Sequence, residues 1–285
     1  MEIKYIDIHS HLNLSPLLEI EEEVILRMRE KGVATITIGT YLETSKLAIE
    51  IAEKYSDAVQ GATIGLHPND KQTEVFDEEK YLELAQHPKV VAIGECGLDY
   101  FRLGNSEQGQ GNSEETKNSP HFAEATRGRQ KEIFRKHIEL AIKVGKPLMI
   151  HSRPSKGSMD AYEDVLEILS SYQQQTTNYK LSANFHFFVG NVDIAKRALA
   201  AGHTMSFDGP ITFSHDYDEV IKFLPLESIM AETDAPYAAP VPFRGKTCEP
   251  WMVEEVYKAI ARIKEMDEEI VRRALIENAK KFFRI

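Results

Sequence analysis

Eight short apolar runs, each followed by a stretch of helical period, constrain this chain more than any other feature. The runs cover residues 5–9, 34–39, 61–66, 90–94, 147–150, 183–187, 203–207 and 228–232. Segments 16–31, 44–54, 77–86, 131–144, 161–170, 192–201 and 217–224 read as helices, and two more near 251–264 and 268–280 close the chain. Gly32, Gly145 and Gly202 follow three of the helical patterns, where a left-handed residue commonly ends a helix. Repeated strand–helix units require parallel strands and right-handed crossovers. Eight such units close a cylinder, so the expected fold is α/β, a (β/α)8 TIM barrel. A doubly wound open sheet is the alternative topology. The 285 residues suit one barrel domain, residues 1–285, without a second unit. The polar Gly/Asn/Ser-rich stretch at about 103–120 interrupts the alternation. It reads as a loop insertion over the barrel mouth, either tolerated or a substrate-contacting flap.

Ionisable side chains recur at the ends of five of the runs. His9 and His11 close the first, Glu95 follows the fourth, and His151, His186 and Asp234 follow the fifth, sixth and eighth. Residues i and i+2 of a strand face the same way, so both imidazoles of His9-Ser10-His11 can reach one cation. Barrel strands deliver reactive groups at their C-terminal ends, and all of these positions fall there. Adjacent strands lie about 4.8 Å apart, so His151 and His186 can converge on a second cation. Strand eight neighbours strand one in a closed barrel, which brings Asp234 to His9 and His11. The Glu95 carboxylate has two oxygens and can bridge two ions. Asp7 and Glu232 sit two residues deeper than His9 and Asp234, where they could orient ligands.

The bulk numbers restrict the partners. A formal net charge of −11 excludes a broad basic surface for duplex DNA or anionic membrane. Any nucleic-acid contact should be local and rely on bound cations. Two cysteines, Cys96 and Cys248, are too few for a disulfide framework. With no secretory h-region and no membrane-spanning apolar stretch, a cytoplasmic location is expected. The two thiols are read as free, because nitrogen and oxygen donors already complete the site.

The pieces Asp7-Ile8-His9-Ser10-His11, Gly65-Leu66-His67-Pro68, Gly94-Glu95-Cys96-Gly97-Leu98-Asp99-Tyr100, His151-Ser152-Arg153, His186-Phe187-Phe188 and Glu232-Thr233-Asp234-Ala235-Pro236-Tyr237 together resemble the TatD family of metal-dependent hydrolases. Pro242-Phe243-Arg244-Gly245-Lys246 resembles that family's final signature. The resemblance implies a metal-dependent-hydrolase barrel with two divalent ions (Zn, Mg or Mn) and deoxyribonuclease activity, often 3′-to-5′ exonucleolytic. It assigns His9, His11, Glu95 and Asp234 to one ion, and Glu95, His151 and His186 to the other. Cys248 stands where the family commonly has Asn, His137 near a place where Gln is common, and the insertion is longer than expected.

These readings combine into an expected mechanism. Two cations hold a bridging hydroxide, Asp234 orients it or takes its proton, and Glu95 bridges. His67, Arg153, Arg102, Arg244 and Lys246 are candidates to contact a DNA phosphate, with solvated loop charge as the alternative for the last three. Trp251, Tyr100, Tyr237 and Phe243 are candidates to stack on unpaired bases of single strands or ends. Two other functions fit the same residues. One is an ester or C–N hydrolase such as an aminoacyl-tRNA deacylase, and the other a non-catalytic metal-binding scaffold. Related amidase-type barrels commonly bridge their ions with a modified lysine on strand four; Glu95 at that place favours phosphoesters.

Overall fold

The computed structural model describes residues 1–68, 75–101, 103, 120–173 and 180–285. Arg102 and nearly all of the 103–120 insertion lie outside these described residues. The strands are β1 Tyr5–Ser10, β2 Val33–Ile38, β3 Val59–Ile64, β4 Val90–Asp99, β5 Leu148–Arg153, β6 Ala183–Phe185, β7 Thr204–Phe207 and β8 Ile229–Ala231. They pair in sequence order, each neighbour parallel. A further parallel bridge joins Ser10 to Ala235 and brings the two edges together. The eight-stranded barrel is therefore present, and the open doubly wound sheet is not.

The helices are α1 Glu21–Lys31, α2 Leu42–Lys54, α3 Glu78–Ala85, α4 Pro120–Val144, α5 Asp160–Gln173, α6 Val192–Ala200, α7 Asp218–Phe223, α8 Val253–Lys264 and α9 Glu268–Phe283. They cover the outside of the barrel, so the strands are buried on both faces. All six residues of β2, for example, are buried. That double burial is why the strands read as continuous apolar runs and not as alternating ones. Local signals set the helix ends. Asn191 and Asp77 accept from Ile194 N and Lys80 N as N-caps of α6 and α3. Gly32 ends α1 in the left-handed region at φ 70°.

Several boundaries differ from the sequence expectation; the largest shift is in α4, which begins at Pro120 and not at residue 131. The first helix starts at Glu21, not at residue 16, after a short 3-10 turn at Leu18–Ile20. The preceding segment is anchored inward: Leu12 and Leu17 are fully buried, and Asn13 Nδ2 donates to Ile38 O and Thr44 O. Helical geometry cannot begin until that anchor ends. β4 runs on to Asp99, five residues past the expected end. The ladder continues through its glycines: Gly97, Leu98 and Asp99 pair with His151, Ser152 and Arg153.

The seam between β8 and β1 is closed partly by side chains. Asp234 N donates to His9 O at 2.9 Å, and His11 N to Ala235 O at 2.7 Å. Deeper in, the Asp7 carboxylate takes the place of a strand carbonyl. It accepts from Thr233 N at 2.9 Å, from Thr233 Oγ1 at 2.7 Å and from His9 N at 3.1 Å. Among the described residues no helix is long and apolar enough to cross a membrane.

Candidate metal centre

The strand-end residues converge at the C-terminal mouth of the barrel. β4 carries one extra residue opposite β5: Ile93 pairs with Leu148, but Cys96 pairs with Ile150. This bulge interrupts the face alternation next to Glu95. Close backbone approach then seats that carboxylate. A Cβ on Gly65 would lie 2.7 Å from Glu95 O and 2.9 Å from Glu95 N. Gly97, at φ +136°, would place a Cβ 2.1 Å from His151 O. Side chains at either position would force β4 away from its neighbours.

The first donor set contains His9, His11, Asp234 and one Glu95 oxygen. His9 Nε2 lies 3.3 Å from His11 Nε2 and 3.5 Å from both Glu95 Oε2 and Asp234 Oδ1. His11 Nε2 lies 3.3 Å from Asp234 Oδ1 and 3.8 Å from Glu95 Oε2. A tetrahedron with metal–donor bonds of about 2.0–2.1 Å has edges of about 3.3 Å, so these spacings suit one divalent ion. The second set gathers on the other Glu95 oxygen. Oε1 lies 2.8 Å from His186 Nε2, 3.0 Å from His151 Nδ1 and 3.2 Å from His67 Nε2. His186 Nε2 and His151 Nδ1 are 3.4 Å apart. Among the described residues, His9–His11–Asp234 and His67–Glu95–His151 are groups able to hold a cation, and His9–His186–Glu232 is a third.

Outer contacts orient several of the rings. Ile38 O lies 3.2 Å from His11 Nδ1, and Asp99 Oδ2 lies 3.3 Å from His151 Nε2. Glu232 Oε1 lies 3.5 Å from His186 Nδ1, near enough for charge attraction but not aligned as a hydrogen bond. Glu232 is itself fixed by Ser206 Oγ at 2.7 Å and Phe187 N at 2.5 Å. The His9 ring stacks on the His186 ring at 3.9 Å. His9 Nδ1 is buried without a hydrogen-bond partner. Asp7 braces the seam and makes its hydrogen bonds to backbone and to Thr233, not to a ligand ring.

Taken with protein groups alone, the electrostatics separate acids from bases. Burial would lift Glu95, but the adjacent rings of His67 and His186 and the hydrogen bonds from His151 and His186 hold it well below the usual carboxylate range. Burial also opposes ionisation of Asp234, and His11 and His9 outweigh it and pull Asp234 down. Burial disfavours charge on His186, His151 and His11. Their carboxylate neighbours win, raising all three, His186 most strongly. For His9 and His67 burial dominates and both go down. Asp208, at the mouth end of β7, is pushed well up by burial and by repulsion from Glu232 and Asp234.

Of the proposed phosphate contacts, His67 and Arg153 line the cavity above the donors. The Arg153 guanidinium lies 4.2 Å from the centre of the Phe101 ring and makes no ion pair among the described residues. Arg244 lies outside that cavity, 3.9 Å over the exposed Phe213 ring. Lys246 lies 6.0 Å from the Phe243 ring. Of the candidate aromatics only Tyr237 lines the cavity. Tyr100 is buried and donates to Asp164, while Trp251 packs on Phe243 and donates to Glu249.

Sequence reasoning missed Asp99 and Gln130. Asp99 partners His151 and lines the cavity. Gln130 on α4 accepts from Asp99 N at 3.0 Å and donates to Pro68 O at 3.0 Å and Asp99 O at 3.1 Å. It ties the His67 loop to the end of β4. Extending β4 to its true end would have exposed Asp99 as one more strand-end carboxylate; Gln130 carried no comparable signal.

A parallel (β/α)8 barrel with paired imidazole–carboxylate donor sets at its C-terminal mouth defines a metal-dependent hydrolase. The sequence model described as "TatD related DNase" matches residues 6–284, and the chain belongs to that family. It is 36% identical over 283 residues to an uncharacterized metal-dependent hydrolase of Bacillus subtilis, YabD, covering 98% of each. It is 30% identical over 284 residues to the uncharacterized metal-dependent hydrolase TatD of Mycobacterium tuberculosis, covering 98% and 97%. In fold it is similar to YjjV, a TatD homologue from Escherichia coli, with TM-score 0.82, 24% identity and full coverage of both chains. It is also similar to a TatD-family hydrolase of Entamoeba histolytica, with TM-score 0.77, 22% identity and coverage of 99% and 98%.

Proposed function

We propose that this chain hydrolyses phosphodiester bonds in DNA, acting on single strands or ends in the 3′-to-5′ direction with two divalent cations, Zn, Mg or Mn. The observation that carries this reading is the division of one carboxylate between two donor sets. Glu95 Oε2 faces His9 and His11, and Oε1 faces His151 and His186. The donors are nitrogen and oxygen only, which suits all three ions. Cys96 and Cys248 stay outside the set as buried thiols, the first pushed well up by burial. Bound cations would supply positive charge to phosphoryl oxygens and lower the pKa of a water molecule.

The chain's own residues do the rest. Asp234 is held ionised by His11 and His9 and opens onto the cavity, so it can take a proton from the attacking water. Glu95 stays a carboxylate and fixes the spacing of the two sets. His67, kept below its ordinary pKa by burial, is a neutral hydrogen-bonding partner for a phosphoryl oxygen. Arg153 is a fixed positive charge on the cavity wall and orients the phosphate. Free buried thiols fit a reducing, cytoplasmic location.

The test is a chelated and cation-reloaded preparation offered end-labelled single- and double-stranded DNA beside a misacylated tRNA. Cleavage of DNA that needs cation and disappears in Asp234→Asn is expected. Hydrolysis of the aminoacyl ester with intact DNA would replace this reading by the deacylase. Turnover of neither by a cation-loaded protein would leave a binding scaffold.

A further inference from the structure

The cavity above the donor sets has a volume of about 690 Å³, within the range that holds one small ligand. Its wall is divided by chemistry. Following the barrel round, β2 to β5 contribute Thr40, His67, Asp99 and Arg153. From β6 through β8 to β1 the wall is Phe187, Val189, Tyr217, Tyr237 and Leu14. The bridge between Ser10 and Ala235 makes β8 and β1 neighbours, so each arc is continuous. One arc is polar and carries the cationic Arg153; the other is aromatic and aliphatic. The cation donors lie on the floor between them.

Tyr237 is the most accessible part of the apolar arc. Its residue is 55% exposed although the ring lines the cavity. The backbone that carries it is held at a defined place. Tyr237 N donates to Asp234 O at 2.9 Å, and the turn is fixed by left-handed backbone at Asp234 (φ 54°) and Ala238 (φ 51°). Its ring centre lies 6.2 Å from that of His11, with the planes at 67°. A flat, exposed aromatic on a fixed turn beside the cation donor sets suits a planar apolar group attached to a phosphate.

We propose that the apolar arc is a seat for one unpaired nucleobase stacked on Tyr237, whose own phosphate lies at the donor sets. This rests on the phosphodiesterase reading and narrows its substrate to nucleotides with a free base. Charge complementarity supports that occupant: the phosphate goes to the cations and Arg153, and the uncharged ring to the arc that, among the described residues, carries no cation.

The cation-loaded protein is titrated by fluorescence anisotropy with a labelled single-stranded oligonucleotide carrying phosphorothioate terminal linkages. A matched oligonucleotide has abasic tetrahydrofuran residues at both ends. Loss of one base–aromatic stack is expected to weaken binding by about 5- to 150-fold. Tyr237→Ala removes that difference and Tyr237→Phe keeps it, with cation content unchanged in both as the check on folding. Equal affinity of the wild-type chain for normal and abasic ends overturns the seat, as does undiminished discrimination in Tyr237→Ala. Unmodified oligonucleotides separate the two ideas. Discrimination without cleavage overturns the phosphodiesterase reading alone, and cleavage without discrimination overturns the seat alone. Absence of any binding overturns both.

Discussion

His137 gives a sharp quantitative expectation. It is fully buried on α4, where burial pushes its imidazole down from 6.5 to about 4. Its tautomer is fixed by its neighbours. Nε2 accepts from Leu66 N at 2.9 Å, so the proton sits on Nδ1 and is donated to Ile133 O at 2.8 Å. The unfolded imidazole binds more protons than the folded one between the two pKa values, so stability falls as pH falls through this window. Between pH 7 and pH 5 the unfolded group becomes almost fully protonated and the folded one about one-tenth, which integrates to about 2 kcal/mol. His203, also pushed down to about 4 by burial, adds a similar slope. His137→Gln removes the first slope and leaves the second, while its amide can keep both hydrogen bonds. Urea unfolding at pH 7 and pH 5, with chelator present throughout, should therefore show the variant losing about 2 kcal/mol less than the wild-type chain. Identical losses in the two proteins would refute the assignment of a neutral, buried His137.

The remaining expectations concern the centre itself. Chelation should abolish hydrolysis and re-addition of a divalent ion restore it, while Asp234→Asn lowers kcat by about 10²- to 10⁴-fold with the fold intact by circular dichroism. Cation affinity should decline on acidification from near neutrality, because His186, His151 and His11 are raised and must lose their protons to bind metal. Competition titrations at pH 8, 7 and 6 that return one affinity would contradict this. Gly65→Ala should reduce cation affinity more than it reduces solubility, since its Cβ would press on the Glu95 backbone. Isothermal titration of the variant reads this directly. Binding of single-stranded DNA should depend only shallowly on salt, with a slope near −1.4 in log–log form for about two phosphate contacts. A slope several times steeper would mean a basic surface that the −11 charge gives no reason to expect.

Much of the fold was legible because double burial writes each barrel strand as an unbroken apolar run. The same uniformity hid the ends. In a strand buried on both faces nothing in the pattern distinguishes a terminus from a glycine within the ladder, so the apolar run by itself places the end of β4 at Gly94. The strand instead continues through Gly97, where the absent Cβ lets it pass His151 O. The cost of that reading was Asp99, whose place beside His151 depends on β4 reaching Arg153 in register.

Asp7 illustrates a different limit. Its position two residues before His9 suggested a partner for an imidazole. The strands, however, do not complete a backbone ladder at the β8–β1 seam, and Thr233 N needs an acceptor there. Asp7 supplies it and simultaneously accepts from His9 N. An unsatisfied buried amide costs about 1–3 kcal/mol, so the seam outranks the ring as a partner for the carboxylate. The bulge beside Glu95 was equally silent, because it depends on pairing between β4 and β5 that no single strand encodes. Residue identity could nominate the donors. Which carboxylate divides between two cation sites, and which closes the cylinder, follows from register alone.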